Sequence, residues 1–255
     1  MNITLETAWI LTVLLVSIRL GMVFVFTPLF TVARVPVQVR VLFTLGMSAL
    51  LVAGLGVTSV KPLVTTGALI EAAVSEAVIG GLMAFGVVAA FAAFLLGGRI
   101  IDVQMGFGVA SLIDPTTRSS APLLGTFLNF LAVVVFFAID GHHLIIRGLA
   151  FSLEHIPPGT SLGEINIGAV VAHFGTMFIF GVMVVAPALI AILLLDIGLA
   201  VIARTMPQVN VFIVSLPLKI FVGLTITAIS LPYLGSVMKR IFESIFSYWE
   251  SVVVR

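Results

Sequence analysis

Between Ile165 and Leu195 the chain runs for 31 positions without a charged side chain, interrupted only by the ionisable His173. A helix crossing the hydrocarbon of a bilayer needs roughly 20 apolar residues, and five further stretches come close to or exceed that length. Thr7 to Ala33 qualifies with Arg19 inside it, and Val41 to Val60 holds 20 uncharged residues. Ala77 to Gly98 holds 22, Ser119 to Ile139 holds 21, and Val209 to Met238 is broken once, at Lys219. Lipid offers backbone N–H and C=O groups no partner, so such stretches must satisfy themselves as helices. Charge is too scarce for the alternative, a soluble globule. Only 9% of the 255 residues are charged and 61% are apolar, against about 25% and 45–50% in soluble domains. The expected fold is an all-α membrane protein of about six long apolar helices or hairpins, kinked by Pro28, Pro187, Pro217 and Pro232. The 31-residue run is longer than one crossing requires, so a bent helix and a hairpin are both open there.

Finer patterns sit on this frame. In the third stretch every fourth residue from 73 to 97 gives Ala73, Ala77, Gly81, Phe85, Ala89, Ala93 and Gly97. Six of these seven are small, and such a stripe lets helix backbones approach closely where no hydrophobic driving force exists. After Val237 the apolar residues Ile241, Phe242, Ile245, Phe246, Trp249, Val252 and Val253 recur at helical spacing, with Lys239, Arg240, Glu243 and Glu250 between them. This is an amphipathic C-terminal helix, suited either to the membrane interface or to a partner subunit. Residues Met1 to Thr7 hold Glu6 and no basic residue, so the N-terminus reads as retained rather than as a cleaved signal. Orientation is contradictory. With six crossings, Arg34 and Arg40 would lie on the opposite face from Lys239, Arg240 and Arg255, although basic residues mark the cytoplasmic side. Either the count of six crossings or the idea that every apolar run spans is therefore wrong.

The residues able to carry chemistry are few. Arg19, Glu76 and Lys219 lie inside apolar runs, where a charge at the bilayer centre costs about 2.5–3.5 kcal/mol. Pairing of Glu76 with Arg19 or with Lys219 is expected; a proton relay is the sharper alternative. Asp140-Gly141-His142-His143 suggests metal, but adjacent helical residues point about 100° apart, no Cys is present, and the stretch reads better as a turn with Gly141 as its breaker. Gln104 to Pro115 is punctuated by Gly106 and Gly108, apolar, and expected not to be helical. Met105, Phe107, Val109, Leu112 and Ile113, followed by Pro115, could narrow a pore while the glycines let the backbone yield; an ordinary connection fits as well. The net charge of +1 gives no electrostatic case for nucleic acid. No phosphate-binding lysine, nucleophile elbow or paired carboxylates are visible, so neither catalysis nor a cofactor is expected.

These pieces, in order, resemble the FliR family of flagellar export proteins. The resemblance rests on Arg34-Val-Pro36 with Arg40, Glu76 followed by Gly80-Gly81, and Gly98-Arg-Ile-Ile-Asp102-Val-Gln104-Met-Gly106-Phe-Gly108. It continues through Asp114-Pro115, Asp140-Gly-His-His143, Arg204-Thr-Met-Pro207-Gln208-Val-Asn210-Val-Phe212 and Pro217-Leu-Lys219. Injectisome proteins of the SctT type share much of this pattern. The resemblance implies a non-enzymatic subunit, present as one copy with FliP and FliQ homologues in a helical export gate of the flagellar basal body. It implies contact with FlhA and FlhB homologues, with inner-membrane lipid and with exported unfolded flagellar proteins. It also implies a FliP-like part over 1–165, including a pore-blocking loop within 104–122, and a FliQ-like part over 166–255. A gate lying largely above the bilayer would remove the conflict of orientation. The rival classes are a stand-alone transporter, which would need midplane polar sites and usually a repeat, and a membrane scaffold without a pore.

Overall fold

The structure is a computed structural model and describes residues 7–28, 30, 35–58, 65–107, 122–161, 163, 165–206, 208 and 210–253. Among these, every extended element is a helix: α1 (Thr7–Phe26), α2 (Val37–Leu55), α3 (Thr66–Met105), α4 (Leu123–Ala138), α5 (Gly141–His155), α6 (Ile167–Thr205), α7 (Val211–Ser230) and α8 (Leu234–Val253). A 3₁₀ turn, Leu231–Tyr233, carries Pro232 between α7 and α8. The all-α membrane fold expected from the sequence is therefore present. By length and composition five helical stretches could cross a membrane; the bent pair α4 and α5, which turn 72° apart, makes a sixth candidate.

Where the boundaries differ from expectation, local physics explains the difference. α6 continues through Pro187 as a single helix of 39 residues, so the hairpin does not occur. One missing donor does not end a helix whose remaining backbone groups have no better partner in an apolar setting. The turn at 139–140 is present, but Asp140 rather than Gly141 takes the left-handed conformation, with φ at 59°. Gly141 opens α5; it must lack a side chain because a Cβ there would strike the ring of Phe136. α3 extends through Met105, so Gln104 and Met105 are helical, contrary to the expectation for that stretch.

The chain divides into two compact units, each assembled from separated segments, and the divisions fall inside α3, α4, α6 and α8. The first comprises Met1–Ala90, Phe136–Phe174 and Phe242–Arg255. Its interior is built from Leu15, Leu20, Met83, Val87, Leu149 and Trp249, all fully or almost fully buried. Here the C-terminal helix departs from both readings offered by its sequence. Phe242, Ile245 and Trp249 are buried within the chain itself, not left to lipid or to a partner. Trp249 Nε1 donates to the Met83 carbonyl at 2.9 Å, and Gly148 and Gly86 supply the room, since a Cβ at either would run into the Trp249 or Tyr248 rings. Trp249→Phe removes this hydrogen bond and part of the buried ring; an expected loss of about 1–2 kcal/mol is checked by denaturation of the purified protein in detergent. An unchanged midpoint would show that the indole contributes nothing there.

The second unit comprises Phe91–Val135 and Gly175–Ile241, with Phe94, Ile101, Met105, Leu128, Ala188 and Met238 in its interior. Burial is uneven along the chain. In the most apolar window of α3, 61% of residues are buried, against 17% for α2 and 28% for α6. Leu50, Ile167 and Phe221 are each about 70% exposed, and faces this apolar require lipid or protein cover. Helices of 40 and 39 residues (α3 and α6) run to about 60 Å, twice the roughly 30 Å of the hydrocarbon core.

Candidate functional site

Two sites emerge from the residues upward: an internal ion-pair lock in the first unit, and the base of the Gly-rich segment in the second. In the lock, α1 and α3 come together at Gly80, where a Cβ would stand 2.6 Å from the Arg19 carbonyl. One helical turn earlier on α3 is Glu76, so the close approach sets the two charged side chains face to face. Arg19 Nε donates to Glu76 Oε2 at 2.7 Å and Nη2 to Oε1 at 3.0 Å, and neither side chain has any exposure. The other guanidinium hydrogens reach the Ser152 carbonyl, the Ser152 hydroxyl and the Ile156 carbonyl, each at 3.0 Å. Glu76 Oε1 accepts one further bond, from the Gly159 amide at 3.3 Å. A guanidinium has five N–H donors, and all five are used. A buried charge is tolerable only when paired and hydrogen-bonded, and this pair meets both conditions. It ties α1, α3, the end of α5 and the turn beyond α5 into one piece.

Lys219 takes a different partner from the one considered for it. Its Nζ lies 2.6 Å from Asp196 Oδ1, on α6, in a half-exposed setting. The small-residue stripe of α3 divides. Ala89, Ala93 and Gly97 are buried, and Gly97 lies against the Gly181 backbone of α6. Ala73, Ala77 and Gly81 are only partly covered; Gly81 meets Met22 at an ordinary 3.6 Å, and the tight contact falls to its neighbour Gly80.

The second site begins where α3 stops. Gly106 adopts φ of 86°, the Gly106 amide donates to the Val103 carbonyl at 3.1 Å, and the Phe107 amide to the Asp102 carbonyl at 3.0 Å. This is the two-bond Schellman ending, which needs a residue free to take positive φ. Met105 is fully buried and lies over Gly223 of α7, while Leu216 covers Gly106. Across from this ending, α4 starts after Pro122, a residue with no side-chain acceptor for the first free amides of the helix. Asp102 supplies one from α3: its carboxylate accepts from Leu124 N at 3.1 Å to each oxygen, and from Gly125 N at 3.4 Å. Gly98 and Gly125 permit it, because a Cβ on Gly98 would sit on the Gly125 backbone. Of the residues read as pore-narrowing, Met105, Gly106 and Phe107 thus lie at this base; Gly108, Val109, Leu112, Ile113 and Pro115 lie outside the described residues.

Adjacency in sequence does not keep the side chains at 140–143 apart, contrary to expectation. The rings of His142 and His143 stand 4.1 Å from each other. Asp140, His142 and His143 offer ligand atoms within 4.8 Å of one another. Bonds of about 2.0–2.1 Å at a tetrahedral ion would bring such atoms to about 3.3 Å, so the set would have to close up. As it stands, His143 Nδ1 faces Asp140 Oδ1 at 3.4 Å, with both side chains largely exposed.

Comparison with known proteins decides what kind of chain this geometry belongs to. Residues 10–245 match the family described as bacterial export proteins, family 1. A Bacillus subtilis (strain 168) protein named flagellar biosynthetic protein FliR is 33% identical, over 90% of each chain. The chain belongs to the FliR family of bacterial export proteins. A FliR of Escherichia coli (strain K12) is 28% identical over 71% of this chain and 70% of its own. The secretion system apparatus protein SsaT of Salmonella typhimurium (strain LT2) is likewise 28% identical, over 62% of each.

In this FliR-family chain, several residues that build the two sites carry no sequence signal of their own. Ser152 and Ile156 hold Arg19 chiefly through backbone carbonyls, which every residue possesses. Asp196 stands at the end of the longest uncharged run and becomes visible as a partner only when α6 and α7 pack. Gly125 and Gly148 are lone glycines within helical patterns, and Gly98 follows Gly97 directly; a glycine there costs about 1 kcal/mol relative to alanine, which marks a packing reason without naming the neighbour. Asp102 stands out in the sequence only as part of a longer motif.

Proposed function

We propose that this chain is a subunit of the flagellar type III protein-export gate in the bacterial inner membrane, forming part of the channel for unfolded flagellar proteins. The observation that carries this reading is the match to bacterial export proteins over residues 10–245. Helices about twice the thickness of the hydrocarbon core and widely exposed apolar faces support it, since both call for protein neighbours. The partners in this reading are FliP and FliQ homologues, with one copy of this chain, together with FlhA and FlhB homologues at the cytoplasmic side. Residues 1–165 correspond to a FliP-like part and 166–255 to a FliQ-like part. The role is passive and non-enzymatic: the segment from Gly106 to Pro122, apolar and punctuated by glycine as far as Ile113, yields to a threading polypeptide and limits ion leakage when none is present. A Schellman stop on one side and a carboxylate cap on the other fix where that segment begins and ends, and this supports the plug reading.

Two measurements test it. Purification from native membrane should bring down FliP and FliQ homologues; recovery of a self-sufficient, monodisperse chain would overturn the gate reading. Deleting residues 106–113 should raise ion conductance of cells severalfold while the flagellar complex still assembles, and unchanged conductance would remove the plug. The similarity to SsaT favours an injectisome gate as the second reading, which the identity of the co-purifying subunits decides.

A further inference from the structure

We propose that Asp140, His142 and His143 form a binding site for a divalent transition-metal ion of the Zn2+ type; the site is independent of the gate reading above. One carboxylate oxygen and one ring nitrogen from each histidine lie within 4.8 Å of one another. Two imidazoles and a carboxylate suit Zn2+, Ni2+ or Cu2+, whereas Mg2+ and Ca2+ take oxygen donors. Three protein ligands leave the fourth position of a tetrahedral ion to water.

Two of the three donors already stand at ligand spacing. His143 Nδ1 lies 3.4 Å from Asp140 Oδ1, longer than the usual N–H···O hydrogen bond of about 2.9–3.0 Å. It matches the separation of about 3.3 Å between two ligands on a tetrahedral ion with bonds of about 2.0–2.1 Å. Only the His142 ring has to close. That ring is not committed elsewhere: its Nδ1 is shielded from solvent and, among the described residues, has no hydrogen-bond partner. Such a nitrogen calls for a partner, and a metal ion supplies one by taking its lone pair.

The backbone that carries the donors is held in place. The Asp140 amide donates to the Phe137 carbonyl at 3.1 Å, the His143 amide to the Asp140 carbonyl at 2.9 Å, and Gly141 lies against the buried Phe136 ring. The side chains of His143 and Asp140 are 60% and 73% exposed, so they can turn toward an ion without unpacking the interior. The partial positive charge at the start of α5 opposes a cation there, but the Asp140 carboxylate and the carbonyl end of α4 offset it.

The test uses the purified complex containing this chain, in detergent and without a histidine tag. It is titrated with Zn2+ alone against a chromophoric chelator, and with Co2+ as a spectroscopic probe. Wild type should bind one more Zn2+ per chain than the His142→Ala/His143→Ala variant, and should show the visible Co2+ absorption of a four-coordinate ion that the variant lacks. Asp140→Asn removes the charge, keeps a residue that tolerates the left-handed backbone, and should raise the Kd at least about tenfold. His143→Ala, which alters an exposed side chain, should abolish binding with subunit composition unchanged. His155→Ala, at the far, exposed end of α5, should leave the Kd as it is. Equal Zn2+ uptake by wild type and the double variant would overturn the site. So would a loss in His155→Ala as large as in His143→Ala, which would mean capture by surface histidines at large.

Discussion

Glu76→Ala is expected to destabilise the chain by about 3–5 kcal/mol, the range for breaking a buried ion pair from one side. The size follows from what is left behind. Arg19 has no exposure, so its guanidinium would remain in the interior with carbonyl and hydroxyl partners but no countercharge, and the Gly159 amide would lose its acceptor. Arg19→Met should cost a similar amount, because it strands the Glu76 carboxylate. Removing both charges together should be milder than the two single changes summed, with a coupling of about 2–3 kcal/mol. Denaturation of the purified complex in detergent measures all three. Additive losses would mean that Arg19 and Glu76 act independently and that the 2.7 Å contact contributes little. Because the lock joins α1, α3 and the end of α5, the single variants should also fail in assembly.

The second large effect is steric. Gly98→Ala places a methyl group on the backbone of Gly125, and backbone cannot rotate aside as a flexible side chain can. Overpacking of this kind typically costs about 1–3 kcal/mol and occasionally more; the upper end is expected, with α4 displaced from Asp102. Gly175 of α6 makes the contrast. It is exposed, and a Cβ there meets nothing within 4 Å, so Gly175→Ala should be neutral or stabilising by up to about 1 kcal/mol through helix propensity. The same denaturation experiment reads both. Equal behaviour of the two alanines would show that the crossing at Gly98 tolerates expansion and that the backbones there can separate at little cost.

These residues also mark where sequence reading works and where it stops. Arg19 and Glu76 stand out because a charge inside an apolar run is expensive wherever the helix goes, so each demands a partner on energetic grounds alone. Lys219 is as conspicuous, yet its partner, Asp196, is not legible: the choice depends on which helices touch, and hydropathy is silent on that. The stripe on α3 is legible as small residues, but its register is off by one at the N-terminal half, where Gly80 rather than Gly81 makes the close approach. A helical face spans adjacent positions, and the neighbour selects among them. The amphipathic pattern of α8 is equally plain, while its cover is the chain's own interior. Amphipathicity states that a face must be covered, not by what.

Sequence alone determined that this chain is helical, membrane-associated and in need of partners for its buried charges, because those follow from the free energy of placing apolar and charged groups in water or lipid. It also marked the stretch around Gly106 and Gly108 as a break in the helical pattern, although the helix runs two residues further than expected, through Met105. Tertiary structure alone decided that Asp102 caps a helix beginning 21 residues later, that Gly98 meets Gly125, and that Lys219 pairs with Asp196. Each of these depends on the relative placement of helices, which is set by many weak contacts summed over whole surfaces and not by any local residue pattern.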